Sequence, residues 1–224
     1  MPIQLSLKDD CPEMIAQRAQ GALRVISDFY DMFSEDIQEA AKLLALAFSG
    51  EQRLIVAGLG LSSCLAGMLA RRLVHGKAPD RSPLPVQALN CHSVLSEDDP
   101  ADTDRNQVFA RQIEAFGSDG DILILITQDG AHPALQEAAT AAHEQGMFTV
   151  GFTGGDGGAL AQNDLLDLEL RVPSIEEALI HEVHMNLICL LDDLIDYYLS
   201  SKPEILNEML QAGVSRLRDD LNAD

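Results

Sequence analysis

Basic side chains are scarce in this chain: 15 Lys and Arg stand against 36 Asp and Glu, a formal net charge of -21. Most of such a surface repels a phosphate backbone, so direct nucleic-acid binding is not expected. The acidity fits a solvated surface, a basic protein partner or a salty cytosol. Long apolar runs are also missing. No stretch reaches the roughly 18 residues that a membrane span needs. Met1 to Asp10 has no basic region followed by an apolar run, so no signal peptide is expected. Cysteine is sparse and scattered: Cys11, Cys64, Cys91 and Cys189 form no CxxC pair. Cys64 and Cys189 lie in apolar helical surroundings and are expected to be buried free thiols, which suits a reducing cytoplasm. There is no internal repeat and no low-complexity tract. No GxSxG elbow occurs, so a Ser-His-Asp triad has no support.

What the chain does have is apolar content: 46% of its 224 residues are hydrophobic, enough for a substantial core. Ile15, Ala19, Ala22, Leu23, Ile26, Phe29, Tyr30 and Phe33 recur at helical spacing, which predicts an amphipathic helix from Cys11 to Phe33. Ser34 offers the N-cap of a second helix running to Phe48. From Arg53 onwards, short apolar runs alternate with helical stretches. Strands are expected at Arg53–Ala57, Leu84–Leu89, Asp121–Thr127, Met147–Thr153 and Asp164–Val172. Helices are expected at Ser62–Val74, Asn106–Phe116, Pro133–Gln145 and from Ser174 to Leu199, where Ser174 and Glu177 have capping-box spacing. Ser96–Asp104 is loop by composition. Leu206, Met209, Leu210, Val214, Leu217 and Leu221 mark one face of a terminal helix, either docked or offered to another subunit.

Five strands separated by helices predict an α/β fold: a five-stranded parallel sheet with helices on both faces, an N-terminal helix pair and an extra C-terminal helix. The expected division is 1–50 for the N-terminal helices, 51–200 for the sheet domain and 201–224 for the extension. Ligands in such folds sit at the carboxyl ends of strands, so the loops after Ala57, Leu89, Thr127 and Thr153 are the ones to watch.

Several of these loops carry a resemblance. GLGLS (Gly58–Ser62), VFARQIEAFGSDGDILI (Val108–Ile124), TGGDGG (Thr153–Gly158), RVPS (Arg171–Ser174) and HEVH (His181–His184) are similar, in order and spacing, to motifs of the sugar isomerase (SIS) domain family. They resemble its phosphoheptose isomerase group, with a flavodoxin-like SIS fold. That group includes the noncatalytic protein that associates with the DnaA replication initiator (DiaA), which HMNLICLLDDLID (His184–Asp196) resembles. The similarity covers residues 30 to 198. It implies a homotetramer built by helix packing around the sites, with the N-terminal helices and the Ser174–Leu199 helix at the interface.

The resemblance also locates the chemistry, and there the residues depart from it. Aldose–ketose isomerisation needs a base and an acid within reach of the sugar. The family's glutamate falls at Arg72 and its histidine at Cys189. A guanidinium cannot serve as a base near neutral pH, and nothing basic nearby in sequence would activate Cys189. The zinc-ligand positions of active members fall at Met68, Arg72, His181 and Cys189, a poor set, so no metal and no cofactor are expected. His181 and His184, at i,i+3 spacing, read as one interior and one interface histidine, and Glu182 as structural. The family's hydroxyl-rich phosphate loop corresponds to TQDGAH (Thr127–His132). Thr127 and Gly130 persist, Gln128 replaces a hydroxyl, and Asp129 sets a carboxylate where a phosphate oxygen would approach, an effect a protonated His132 would offset. Ser62 remains at a helix N-terminus that favours an anion. The family's asparagine is Leu59 here, and its aspartate is His92.

No catalytic residues are therefore assigned. The expected ligand cleft comprises Ser62, His92, Thr127, Gln128, Asp129, Gly130, His132 and His181. The leading expectation is a noncatalytic, cytoplasmic, oligomeric scaffold that binds a carbohydrate derivative or a protein. A sugar-phosphate isomerase with substituted residues and a sugar-phosphate sensor are the alternatives.

Overall fold

The computed structural model describes residues 10–76, 81–89 and 105–212, with side chains as far as residue 209. The sheet has five parallel strands in the order β2-β1-β3-β4-β5: β1 (Leu54–Gly58), β2 (Val86–Ala88), β3 (Ile122–Ile126), β4 (Phe148–Gly154) and β5 (Leu168–Val172). Their near-continuous apolar runs are what a strand covered on both faces requires. Successive side chains point to opposite faces. Leu54, Val56, Ile122, Ile124 and Ile126 enter one core with α1 (Cys11–Ser49), α2 (Leu61–His75) and α6 (Glu177–Asp196). Ile55, Ala57, Leu123 and Leu125 enter the other with α3 (Ala110–Phe116), α4 (Pro133–Glu144) and α5 (Gly158–Gln162). The expected architecture of one parallel sheet between two helical layers is the one observed.

The expected N-terminal helix pair is present: α1 is interrupted at Phe33, whose backbone is non-helical (φ -118°, ψ 17°), and the second helix runs on from there to Ser49. The Phe33 ring stays packed on Phe29, with centroids 5.5 Å apart, and no loop intervenes. The two halves differ in surroundings. Phe29 and the Ile37–Phe48 face are buried, whereas Met14, Ile15, Leu23 and Met32 are 62–68% exposed. The apolar stripe of the first half thus lies open on this chain.

Other boundaries shift for local reasons. Only Val86–Ala88 pairs as β2. A 3-10 turn (Arg105–Gln107) precedes α3 where one helix was expected. Asp164 takes a left-handed conformation (φ 51°), so β5 starts at Leu168. The Ser174–Glu177 capping box does not form: Ser174 Oγ accepts from the Glu176 N–H at 3.1 Å, and Glu176 occupies the N-cap of α6. A π-helical turn (Tyr197–Ser201) follows α6, and then comes α7 (Pro203–Ala212). Leu206 of α7 is buried in the core, so the described part of the terminal helix is docked. Cys64 is exposed and Cys189 half-buried, against the expected buried thiols, because Cys64 faces away from the α2 core stripe of Leu65, Leu69 and Leu73. Cys91, the Ser96–Asp104 loop and the apolar positions beyond Ala212 lie outside the described residues.

Truncating Leu44, 1% exposed in the sheet-covering half of α1, leaves a cavity. Leu44→Ala is expected to cost about 2–5 kcal/mol of unfolding free energy, measured by denaturant titration.

Candidate functional site

The strand order reverses at β1: its neighbours are β2 and β3, and chain continuity takes them in opposite directions. A crevice forms at such a switch point, outside the carboxyl ends of β1 and β3. The turn after β1 (Leu59–Gly60) and the loop after β3 (127–132) wall it, with the loop after β4 (155–157) behind the latter. Glycines set how closely these walls approach. A Cβ at Gly58 would lie 2.8 Å from the Ser62 backbone and 3.0 Å from the Ile126 carbonyl oxygen, so only glycine lets α2 start this close to β3. Gly130 (φ 63°) backs onto the Gly157 carbonyl, where any Cβ would overlap it.

Ser62, 2% exposed, lies in the first turn of α2. Its Oγ is 3.2 Å from His181 Nε2 of α6, so the hydroxyl is partnered by the chain itself. His181 is buried, and its Nδ1 lacks a hydrogen-bond partner, with Glu177 Oε1 4.0 Å away. Burial lowers its pKa, with Glu177 opposing, so the ring is neutral near pH 7. His184 is fully buried and its Nε2 lies 3.1 Å from the Thr153 carbonyl oxygen. Since a carbonyl only accepts, Nε2 carries the proton. Burial is the main reason its pKa falls to about 4. Both histidines are thus interior, and neither is left at a free surface as an interface residue.

The loop after β3 is closed on itself. Thr127 Oγ1 accepts from the Asp129 N–H (3.4 Å) and the Gly130 N–H (3.1 Å) and donates to Asp129 Oδ1 (3.3 Å). Asp129 Oδ1 also accepts from the Ala131 N–H at 3.1 Å. His132 is the N-cap of α4, its Nδ1 accepting from the Ala134 N–H at 3.1 Å. An accepting Nδ1 holds no proton, so in this arrangement His132 is not the cation expected to offset Asp129. Thr127 and Gly130 are buried, Gln128 is half-buried, and Asp129 and His132 are exposed. His92 lies outside the described residues.

Arg72 points elsewhere. Its Nη2 is 2.8 Å from Asp192 Oδ2 of α6, a carboxylate with a 1% exposed side chain. Arg81 joins the cluster, with Nη2 3.6 Å from Asp192 Oδ1, Nε 3.0 Å from Asp196 Oδ1 and a bond to the Arg72 carbonyl. Two guanidinium groups therefore neutralise two carboxylates between α2 and α6. Sequence reasoning missed this cluster, since the partners lie far apart in the chain and no motif marks them. Met68 packs against the core, and Cys189 is half-buried close to Tyr30, whose pKa is raised by burial first and then by this thiol. A zinc ion does not suit these positions: a thioether in the core and an ion-paired guanidinium offer it no ligand. No cluster of three or more His, Cys, Asp or Glu side chains with metal-holding geometry exists among the described residues.

Ser62 and His181 are thus in contact, and Thr127, Gln128, Asp129, Gly130 and His132 share the loop after β3. Comparison with known proteins adds the family. The model of the SIS domain matches residues 19–154. A phosphoheptose isomerase of Halorhodospira halophila is 36% identical over 195 residues, 87% of this chain and 98% of that one. Another, from Alkalilimnicola ehrlichii, is 35% identical, covering 84% and 96%. Among solved structures, a phosphoheptose isomerase from Francisella tularensis superposes with a TM-score of 0.76 at 29% identity, over 83% of this chain and 98% of that chain.

Two predictions concern the interior groups of the site. Arg72→Met leaves Asp192 with Arg81 alone. It is expected to cost about 1–3 kcal/mol, below the ~3–5 kcal/mol for breaking a fully buried pair, because the Arg72 side chain is 25% exposed. Arg72→Glu, which installs the glutamate of active isomerases, sets a carboxylate against Asp192 and is expected to destabilise further without creating turnover. Denaturant titration and an isomerase assay check both.

His184 gives the second prediction. In the unfolded chain its imidazole takes a proton near pH 6.5, but in the fold only near about 4. The unfolded state therefore binds more protons in that window. Stability is full above about pH 7 and is lost as pH falls towards 4, by up to about 3 kcal/mol. His184→Gln, which keeps a donor for the Thr153 carbonyl, is expected to flatten this slope in denaturant midpoints taken from pH 4.5 to 7.5.

Proposed function

For a chain that belongs to the SIS domain family, we propose a noncatalytic role: an oligomeric SIS protein that binds a carbohydrate derivative or a protein partner in place of isomerising a sugar phosphate. The observation that carries this reading is the Arg72–Asp192 pair. The position where active members hold a glutamate bears a guanidinium engaged by a buried carboxylate, and it neither takes up a proton nor binds a metal. Ser62 bonded to His181, and the loop after β3 bonded to itself, support the same reading. The resemblance to the replication-initiator-associating members suggests the kind of partner. A net charge of -21 suits a basic surface on it. The open apolar stripe of α1 supports assembly, and a tetramer is the form proposed. Among the described residues no helix is long and apolar enough to cross a membrane, and the proposed site of action is the cytoplasm.

A second reading is isomerisation of sedoheptulose 7-phosphate or a related ketose phosphate. It is supported by the relatives named phosphoheptose isomerase, which the chain matches over nearly their whole length. The neutral His181 beside Ser62 is a group with a ring nitrogen free to accept a proton.

The test is incubation of the purified protein with sedoheptulose 7-phosphate, with and without zinc, following heptose 7-phosphate formation and the melting temperature. Neither turnover nor a thermal shift is expected. Turnover returns the chain to the isomerases, and a shift without turnover makes it a sensor. Light scattering is expected to give four times the chain mass, and Ile15→Glu with Leu23→Glu to lower it.

A further inference from the structure

We propose that ionic strength governs the assembly of this protein: copies with a net charge of -21 repel one another, and the apolar stripe of α1 closes against a second copy only when salt screens that repulsion. This rests on the oligomeric reading above and names how that assembly is regulated.

Two features of one helix act in opposite directions. Met14, Ile15, Leu23 and Met32 are 62–68% exposed, and removing such apolar surface from water favours contact between copies. The charges beside them favour separation. Asp28, Asp31 and Glu35 are exposed between Leu23 and Ile37, a stretch whose one cation is Arg24. Asp31 adjoins Met32, and Asp28 lies one turn before it on the same side of the helix. Acids crowd there within a single copy: burial first, and then Glu35 and Glu39, push the Asp36 pKa up, against a backbone hydrogen bond that lowers it. Arg18, on the same helix, is engaged by Glu182. Arg53, Arg72, Arg81 and Arg171 are likewise paired with carboxylates of their own chain, so they do not remain to meet those of a neighbour.

Salt separates the two effects, because only one of them is Coulombic. The screening length is about 30 Å at 0.01 M salt and about 3 Å at 1 M. Residues 11–33 of α1 extend over roughly 34 Å at the helical rise per residue. At low salt an acid on one copy therefore acts on acids along the whole facing stretch of the next. At 1 M it acts only on groups in contact with it, and the apolar stripe decides the outcome. A high net charge of one sign keeps copies apart in the same way over the rest of the surface.

The test is light scattering on the full-length protein at one concentration, from about 0.02 M to about 1 M KCl. Wild type is compared with a variant carrying Asp28→Asn, Asp31→Asn and Glu35→Gln. All three side chains are exposed, and Asp31→Asn alone carries the test if the triple variant does not fold. Wild type is expected to rise from the mass of one chain towards that of four as KCl is added. The variant is expected to do so at a KCl midpoint at least about twofold lower. Full mass in wild type at the lowest salt overturns the proposal. So does a midpoint that the variant shares, since salt would then act on the apolar surface and not on charge. Both results leave the oligomeric reading standing, whereas the mass of one chain at every salt concentration sinks that reading and the proposal with it.

Discussion

Taking a carboxylate out of water is costly unless a cation meets it, and Asp192, with 1% of its side chain exposed, is such a carboxylate, on the face of α6 that packs against α2. The requirement fixes the direction of two guanidinium groups. Arg72, in the last turn of α2, must point towards α6, and Arg81 must return from the segment beyond α2 to complete the neutralisation. Replacing such a cluster with apolar side chains often costs nothing, whereas removing one member leaves a buried charge exposed to its full desolvation penalty. Once Asp192 is present, Arg72 is held in place, and the proton chemistry of that position is lost with it.

The same economy of internal partners runs through the rest of the crevice. A ligand site at strand ends needs donors and hydroxyls with free capacity, and its usual source of them is the pair of helix N-termini that open there. In this chain the α2 mouth has its serine engaged by His181, and the α4 mouth has its amides engaged by Thr127, Asp129 and His132. The glycine contacts that press the loop after β4 against the loop after β3 hold the second arrangement rigid. Each bond is ordinary on its own. Together they leave the walls of the crevice with few unsatisfied groups, while the sheet beneath keeps its five parallel strands.

The sheet was legible because its signal is local. DILILIT is a run of apolar and β-branched residues that only a strand covered on both faces explains, and the glycine turns after β1 and β4 mark where the chain must reverse within a few residues. The family motifs added the order. What could not be read was set by contacts distant in sequence. Nothing near Arg72 announces Asp192, and although the resemblance set Ser62 and His181 in one cleft, it did not give the bond between them. Helical spacing placed Cys64 on α2 but did not say which side of it meets the core. The break expected at Ser34 was legible from its capping preference, and the non-helical backbone at Phe33 lies next to it. The Ser174 box does not form because Ser174 Oγ accepts from the Glu176 amide and Glu176 takes the N-cap.

The first half of α1 poses the remaining physical question, because four large apolar side chains lie open along one stretch of it. Met14, Ile15, Leu23 and Met32 are each more than 60% exposed on a protein whose other surface is acidic. Arg18, on the same stretch, reaches Glu182 of α6, so this half of α1 leans against the helix that carries His181, His184 and Asp192. An exposed ion pair of that kind contributes little by itself. An apolar stripe beside it, by contrast, gains about 25 cal/mol for each Å² removed from water. Covering the stripe would therefore stabilise an assembly through α1 itself, beside the helix α6 that carries Asp192 and the two buried histidines.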